Sequence, residues 1–233
     1  MGIYFRTETR RLTFRELWRI SSRWPVFLVA CVNKVLGVRQ PVRWALQHEL
    51  TIRPLHTEEI PCAALRVLEP LIEQFQQSGA RLAFFQSTPS TGNLKGYSAV
   101  LLPSEHNAVI VVIWVRAQIS GPGTVKSGCA VTSELQDGSF FSTTNLPPAF
   151  NKPPGSRAVH LRGATPTELA QRHQEALIES GSNATRIHNE QEAINLLVEA
   201  KRRNFEWQVG RGVWVPLTAE EQARLGLPIA DDY

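Results

Sequence analysis

The spacing of apolar positions changes period along this chain, and the changes divide it. Thr13-Phe14-Arg15-Glu16 has the form of a capping box, with the Thr13 hydroxyl able to accept an amide proton and the Glu16 carboxylate able to reach back. It predicts a helix from about Phe14. At about 100° per residue, Phe14, Leu17, Trp18, Ile20, Ser21 and Trp24 share one arc while Arg15, Arg19 and Arg23 line another. The helix therefore reads as basic and amphipathic, with a tryptophan-rich face. Pro25 breaks or restarts it, because proline is tolerated in a first helical turn and not further inside. The stretch RWPVFLVACVNKVLGVRQPVRW (residues 23–44) predicts a second helix from about Val26 to Leu36, capped by Gly37. Leu28, Val29, Cys31, Val32, Val35 and Leu36 form a broad apolar arc, and Asn33 and Lys34 mark its polar side. The unbroken apolar run, Pro25 to Val32, is much shorter than the roughly 20 residues a membrane-spanning helix needs, so no transmembrane span is expected.

Residues 58–78 have helical composition and end at Gly79, with Pro70 expected to kink or split the helix. Beyond it the period falls to 2, mixed with continuous apolar runs. Strands are predicted at residues 81–86, 97–102, 108–119, 125–135, 139–144 and 158–161. Their short connections, with a tight turn at Asp137-Gly138, imply antiparallel pairing. The run AVIVVIWVRAQI is apolar on both alternating faces, which predicts a central strand covered on each side. VKSGCAVTSEL alternates instead and should keep one wet face. A proline-rich loop over residues 146–156 precedes a helix opened by Thr165, Pro166 and Glu168 and running to about Glu179. Another runs from about Asn189 to Asn204, and a short one is capped by Thr218 and Glu221. The fold class is α+β: an antiparallel β-meander of five to six strands with helices before and after it, plus an N-terminal amphipathic helix pair. Three segments follow from this reading. Residues 1–53 are a basic helical segment and residues 54–206 the α+β domain. Residues 207–233 form a C-terminal hairpin, around Gly210-Arg211-Gly212, and a short helix packing on that domain.

Composition refines the picture in two places. The net charge is +4, yet residues 1–53 alone carry ten Arg and Lys against three Glu, a local +7 that leaves −3 for the rest. The first 23 residues hold six arginines and no small-residue cleavage site follows, so export is not expected, and the Asn183-Ala184-Thr185 sequon carries no weight without it. Cys31, Cys62 and Cys129 are odd in number, far apart and without CxxC spacing. They argue for a reducing compartment and against disulfides or a zinc site.

No catalytic signature emerges. The six histidines show neither HxH nor HxxxH spacing, so no metal or other cofactor is expected. STPSTGNLKG (residues 87–96) lacks the phosphate-loop order and joins two strands, which makes it a hairpin loop. Ser127 lacks the GxSxG frame. His173 sits on the apolar arc of its helix, between Leu169, Ala176 and Leu177, where a core or groove histidine bonded to a backbone carbonyl or loop side chain competes with a general base or pH-sensitive group. Thr143, Thr144 and Asn145 close a strand; together with His173 and with Glu134 or Asp137 they could line a small polar pocket.

At SELQDGSFFSTTN (residues 133–145), followed by the proline-rich loop and the helix bearing His173, the chain resembles a group of uncharacterised bacterial proteins over about residues 60–180. That resemblance implies a fold and a bacterial origin, and no chemistry.

The functional expectation rests on the N-terminal helices. Core burial, a membrane interface with arginines toward anionic headgroups, or another protein would each satisfy their apolar faces. Nucleic acid fits poorly, because the second helix is so apolar. The expected protein is a non-enzymatic interaction or accessory subunit, cytoplasmic or peripheral at the inner face of the membrane. It would dock to a protein partner or an anionic membrane surface through Arg15, Trp18, Arg19, Arg23, Trp24, Leu28 and Val32. The competing expectation is a small-ligand-binding or enzymatic domain with its site at Glu134, Thr144, Asn145 and His173.

Overall fold

The computed structural model describes residues 3–21, 23–38, 45–48, 51–88, 94–117, 124–147 and 149–227. The sequence features at Arg43-Trp44 and Gln118-Ile119 lie outside them. The chain opens with β1 (Ile3–Thr7), helices α1 (Phe14–Ile20) and α2 (Trp24–Val35), and β2 (Leu46–His48). It continues with β3 (Pro54–Leu55), α3 (Cys62–Gln77), β4 (Arg81–Thr88), β5 (Leu94–Leu102), β6 (Val109–Ala117), β7 (Thr124–Glu134), β8 (Phe140–Thr144) and β9 (Ser156–His160). Last come α4 (Pro166–Glu179), α5 (Glu190–Gly210), β10 (Trp214–Pro216) and α6 (Ala219–Arg224). The class is α+β, as the pattern implied.

The strands β3 to β9 form one seven-stranded sheet in chain order. β6 lies in its middle because it is apolar on both sides. Ile110, Val112 and Trp114 face Ala64, Leu68, Ile72 and Phe75 of α3 and Leu169 of α4. Val109 and Val111 face Ala193, Leu196 and Leu197 of α5. Helices thus cover both faces of the sheet. α3 continues through Pro70 as one helix instead of splitting; Pro70 is exposed, where the carbonyl it leaves unbonded can meet water.

Two strand expectations need correction. The short β3 pairs with β4 and adds an edge strand, giving seven in place of five to six. β9 runs parallel to β8, with Phe140 opposite Ser156 and Thr144 opposite His160, so the meander is not wholly antiparallel. A tight turn cannot join parallel strands, and the proline-rich segment carries the chain back to start β9 alongside the start of β8.

The predicted C-terminal hairpin is also absent. α5 runs past Asn204 to Gly210, and the next strand, β10, pairs with β1, Thr7 opposite Trp214. Phe205 explains the longer helix: its ring lies 4.8 Å from Phe5 and 5.5 Å from Trp214. β1 is the middle strand of a three-stranded antiparallel sheet, β10-β1-β2, built from both ends of the described chain.

Candidate functional site

The capping box at Thr13 forms as its sequence requires. The Glu16 amide donates to the Thr13 hydroxyl at 3.2 Å, and the Thr13 amide donates to the Glu16 carboxylate at 2.8 Å. What the helical arc did not reveal is which side turns inward. Glu16 and Leu17 are fully buried, whereas Phe14, Arg15 and Trp18 are exposed. Leu17 packs with Leu12 and Val213 above Phe27, Ala30, Cys31, Phe150 and Trp214. Arg15 is thus exposed together with its neighbours Phe14 and Trp18.

The Glu16 carboxylate is the hub that fixes α1. It accepts bonds from the Arg211 guanidinium at 2.8 and 2.7 Å, from the Asn151 amide at 2.8 Å and from the Thr13 hydroxyl at 2.9 Å. Burial alone would raise its pKa, but Arg211 and the amide and hydroxyl donors outweigh burial and hold it down at about 2. Arg211 follows α5 and Asn151 lies in the proline-rich segment. The hub therefore ties α1 to the end of α5 and to the β8–β9 connection. Glu16 was recognised from the sequence only as a capping residue; its being the single acid between Thr9 and Leu36 was the available signal of a special role.

α2 begins at Trp24, two residues before the sequence suggested, with Pro25 in its first turn where proline needs no amide bond. Its polarity is inverted. Phe27, Ala30, Cys31, Asn33 and Lys34 turn toward the protein and are half-buried. The Lys34 ammonium donates to the Arg10 carbonyl and lies 5.6 Å from the Phe14 ring centre. Trp24, Val26, Leu28, Val29, Val32, Val35 and Leu36 all face outward, with Val35 and Leu36 at 74% and 69% exposure. No residue of α2 is fully buried. Trp18, Trp24 and Phe27 stack on one another, ring centres 5.1 to 5.6 Å apart, and extend the apolar surface across both helices.

The expected interaction residues thus gather on one helix pair. Trp18, Trp24, Leu28 and Val32 are exposed, Arg15 and Arg23 are exposed without an acidic partner among the described residues, and Arg19 is turned aside to the Asn151 side chain at 3.3 Å. Of the fifteen large apolar side chains that are well exposed among the described residues, eleven fall between Phe14 and Val38. This concentration marks one surface as different from the rest.

The alternative pocket residues do not come together. His173 of α4 is buried against the sheet between two hydroxyls, Ser133 Oγ at 2.9 Å from Nε2 and Thr143 Oγ1 at 3.1 Å from Nδ1. Ser133 donates its proton to the Asn107 carbonyl at 2.6 Å, so Nε2–H donates to Ser133 and Nδ1 accepts from Thr143. Both nitrogens of the neutral ring are satisfied, and burial lowers its pKa to about 4. Glu134 and Thr144 lie one position along from Ser133 and Thr143, on the opposite face of the sheet. Thr144 donates to the Cys129 carbonyl at 2.8 Å. Asn145 accepts from the Cys129 amide at 2.7 Å and donates to the Ala164 carbonyl at 3.0 Å. These side chains hold backbone in place.

A cleft of about 320 Å³ beside His173 continues into an open groove of about 600 Å³, the two sharing Glu105, Asn107, Gln174 and Ile178. Asn107 donates to Gln174 at 2.9 Å and to Glu105 at 3.3 Å, so its amide protons are already engaged there. Among the described residues no group of three His, Cys, Asp or Glu side chains could hold a metal, and no helix is long and apolar enough to cross a membrane. Comparison with protein-family models, curated proteins and solved structures finds no match to this chain.

Proposed function

We propose that this protein is a non-enzymatic accessory protein that docks peripherally on a membrane surface through α1 and α2. The observation that carries the reading is the inverted helix: α2 keeps Lys34 and Asn33 toward its own protein and turns six large apolar side chains outward, with its cap residue Leu36 making a seventh. Leaving these in water forgoes on the order of 1 kcal/mol for each half-exposed valine or leucine, so an apolar surface outside the described fold is strongly favoured. A protein partner of ordinary interface size would call for roughly one hydrogen bond per 100–200 Å², and the outward face of α2 offers the Trp24 indole N–H alone. A lipid interface asks for none from that face. A flat-lying helix of this size sinks its apolar side into the headgroup boundary, with tryptophans at the water edge. The hub at Glu16 fixes this surface to the sheet domain, so whatever the domain carries is held at the same place.

The test is vesicle co-sedimentation of the full chain against a Leu28→Asp/Val32→Asp variant, with circular dichroism to confirm that both fold. Association of the parent and its loss in the variant supports the reading. A parent chain that ignores every vesicle while forming a complex with itself or another protein through the same residues overturns it.

A further inference from the structure

Among the described residues the docking face carries charge of one sign, and we infer that it selects anionic phospholipid, with Arg15 and Arg23 as the headgroup contacts. This rests on the membrane reading above and names the lipid. From Thr9 to Leu36 the sequence holds six cations and one acid, Glu16. Glu16 is fully buried and engaged by Arg211, so it contributes no negative charge to the exposed surface. The cations divide by their surroundings. Arg10 is bonded to Glu8 at 2.9 Å, Lys34 is turned inward to the Arg10 carbonyl, and Arg19 reaches Asn151. Arg11 is exposed as well, but its side chain runs alongside Gly212, within 4 Å of where a Cβ there would lie. Arg15 and Arg23 remain, exposed and with no acid beside them among the described residues.

Their positions fit a phosphate layer. Arg15 is exposed on α1 together with Phe14 and Trp18, and Arg23 is the cap residue preceding Trp24, whose ring stacks on Trp18 at 5.6 Å. Each arginine is therefore an exposed residue within one helical turn of an exposed tryptophan in the chain, Arg15 of Trp18 and Arg23 of Trp24. Indoles settle at the headgroup level of a bilayer, and an arginine beside one reaches lipid phosphate with its flat fork of donors. With no carboxylate to release first among the described residues, each arginine can meet a lipid phosphate.

The experiment compares partition of the full chain onto vesicles of phosphatidylcholine alone and of phosphatidylcholine mixed with phosphatidylglycerol. The parent chain should favour the mixed vesicles, by about five-fold per arginine and so about 25-fold for the pair at low salt, with the preference shrinking as salt is raised. Arg15→Gln/Arg23→Gln should lose that preference and keep the weaker binding to phosphatidylcholine. Both side chains are exposed and have no ion pair among the described residues, so the variant should melt with the parent. Equal partition of the parent onto both vesicles overturns the lipid selectivity and leaves the docking reading standing, as does a variant that keeps the parent's preference. Binding to neither vesicle overturns the docking reading itself.

Discussion

Arg211, just beyond α5, clasps Glu16 of α1 with two guanidinium bonds of 2.8 and 2.7 Å across 195 positions of the chain. Around this pair the capping hydroxyl of Thr13 and the amide of Asn151 supply the other donors, so a carboxylate with no solvent exposure is surrounded by hydrogen bonds. A buried pair of this kind adds little stability over a well-packed apolar pair, but removing one partner leaves the other stranded. The pair therefore acts as a lock on where α1 sits.

Glu16→Gln should destabilise the protein by about 3 kcal/mol, since it leaves Arg211 without a counter-charge and weakens the cap together. Arg211→Met should cost a similar amount, and the double variant less than the sum, because the stranded charge disappears when both are gone. Urea denaturation of the four proteins closes the cycle. Additive losses would show that the two residues act independently and that the clasp contributes no coupling.

Acid should unlock the structure in two separable steps. For His173 the folded pKa, about 4, lies below the ordinary 6.5, so the unfolded chain binds the proton first. Stability contributed by the neutral ring is full above pH 6.5 and is lost as pH falls toward 4, by about 3 kcal/mol in all. For Glu16 the folded pKa, about 2, lies below 4.5, so its contribution is full above pH 4.5 and is lost as pH falls toward 2. Melting temperatures across pH 7 to 2 should show both falls. His173→Gln should flatten the upper one and Glu16→Gln the lower one; a His173→Gln curve parallel to the parent between pH 6.5 and 4 would refute the assignment.

Much of the fold was legible because it follows from local pattern. The boxes at Thr13, Thr165 and Thr218 and the cap at Asn189 form where the residues predicted them. The two-sided apolar run placed β6 at the centre of the sheet. What escaped depends on contacts distant in sequence. β10 completes a sheet with β1, and β9 turns parallel, because a long connection crosses back; neither has a short-range signal. At the candidate site the residues of the apolar patch were legible and their orientation was not. A helical arc shows which side chains lie together, but Glu16, Leu17 and Lys34 face inward on account of Arg211, Val213 and the Arg10 carbonyl, which sequence spacing does not bring near.

Gly128 of β7 should not tolerate a side chain. A Cβ there would lie 2.6 Å from Asn145 Oδ1 and 2.6 Å from Leu146 Cγ. The amide oxygen cannot yield freely, because it accepts the Cys129 amide at 2.7 Å while the other end of Asn145 holds the Ala164 carbonyl. Gly128→Ala should therefore cost about 1–3 kcal/mol through overpacking, and crowding should push Asn145 off the Cys129 amide. Amide hydrogen exchange at Cys129, measured alongside thermal melting, checks both effects. Unchanged protection at that amide would mean that the strand shifts instead of the asparagine.

The inverted helix reverses the usual order of substitution costs, which gives a test in the isolated chain with no lipid present. On an ordinary surface helix the apolar positions are costly to change and the lysines are cheap. In α2, Val29 and Val32 are exposed at 58% and 54%, so Val29→Ser/Val32→Ser should remain within about 0.5 kcal/mol of the parent per site. Lys34 lies inward, with its ammonium on the Arg10 carbonyl and over Phe14, and Lys34→Ala should cost about 1–2 kcal/mol. Urea midpoints at matched m-values give the comparison. If the two valines prove costlier than the lysine, they are covered in solution, and the free chain does not present this face to its surroundings.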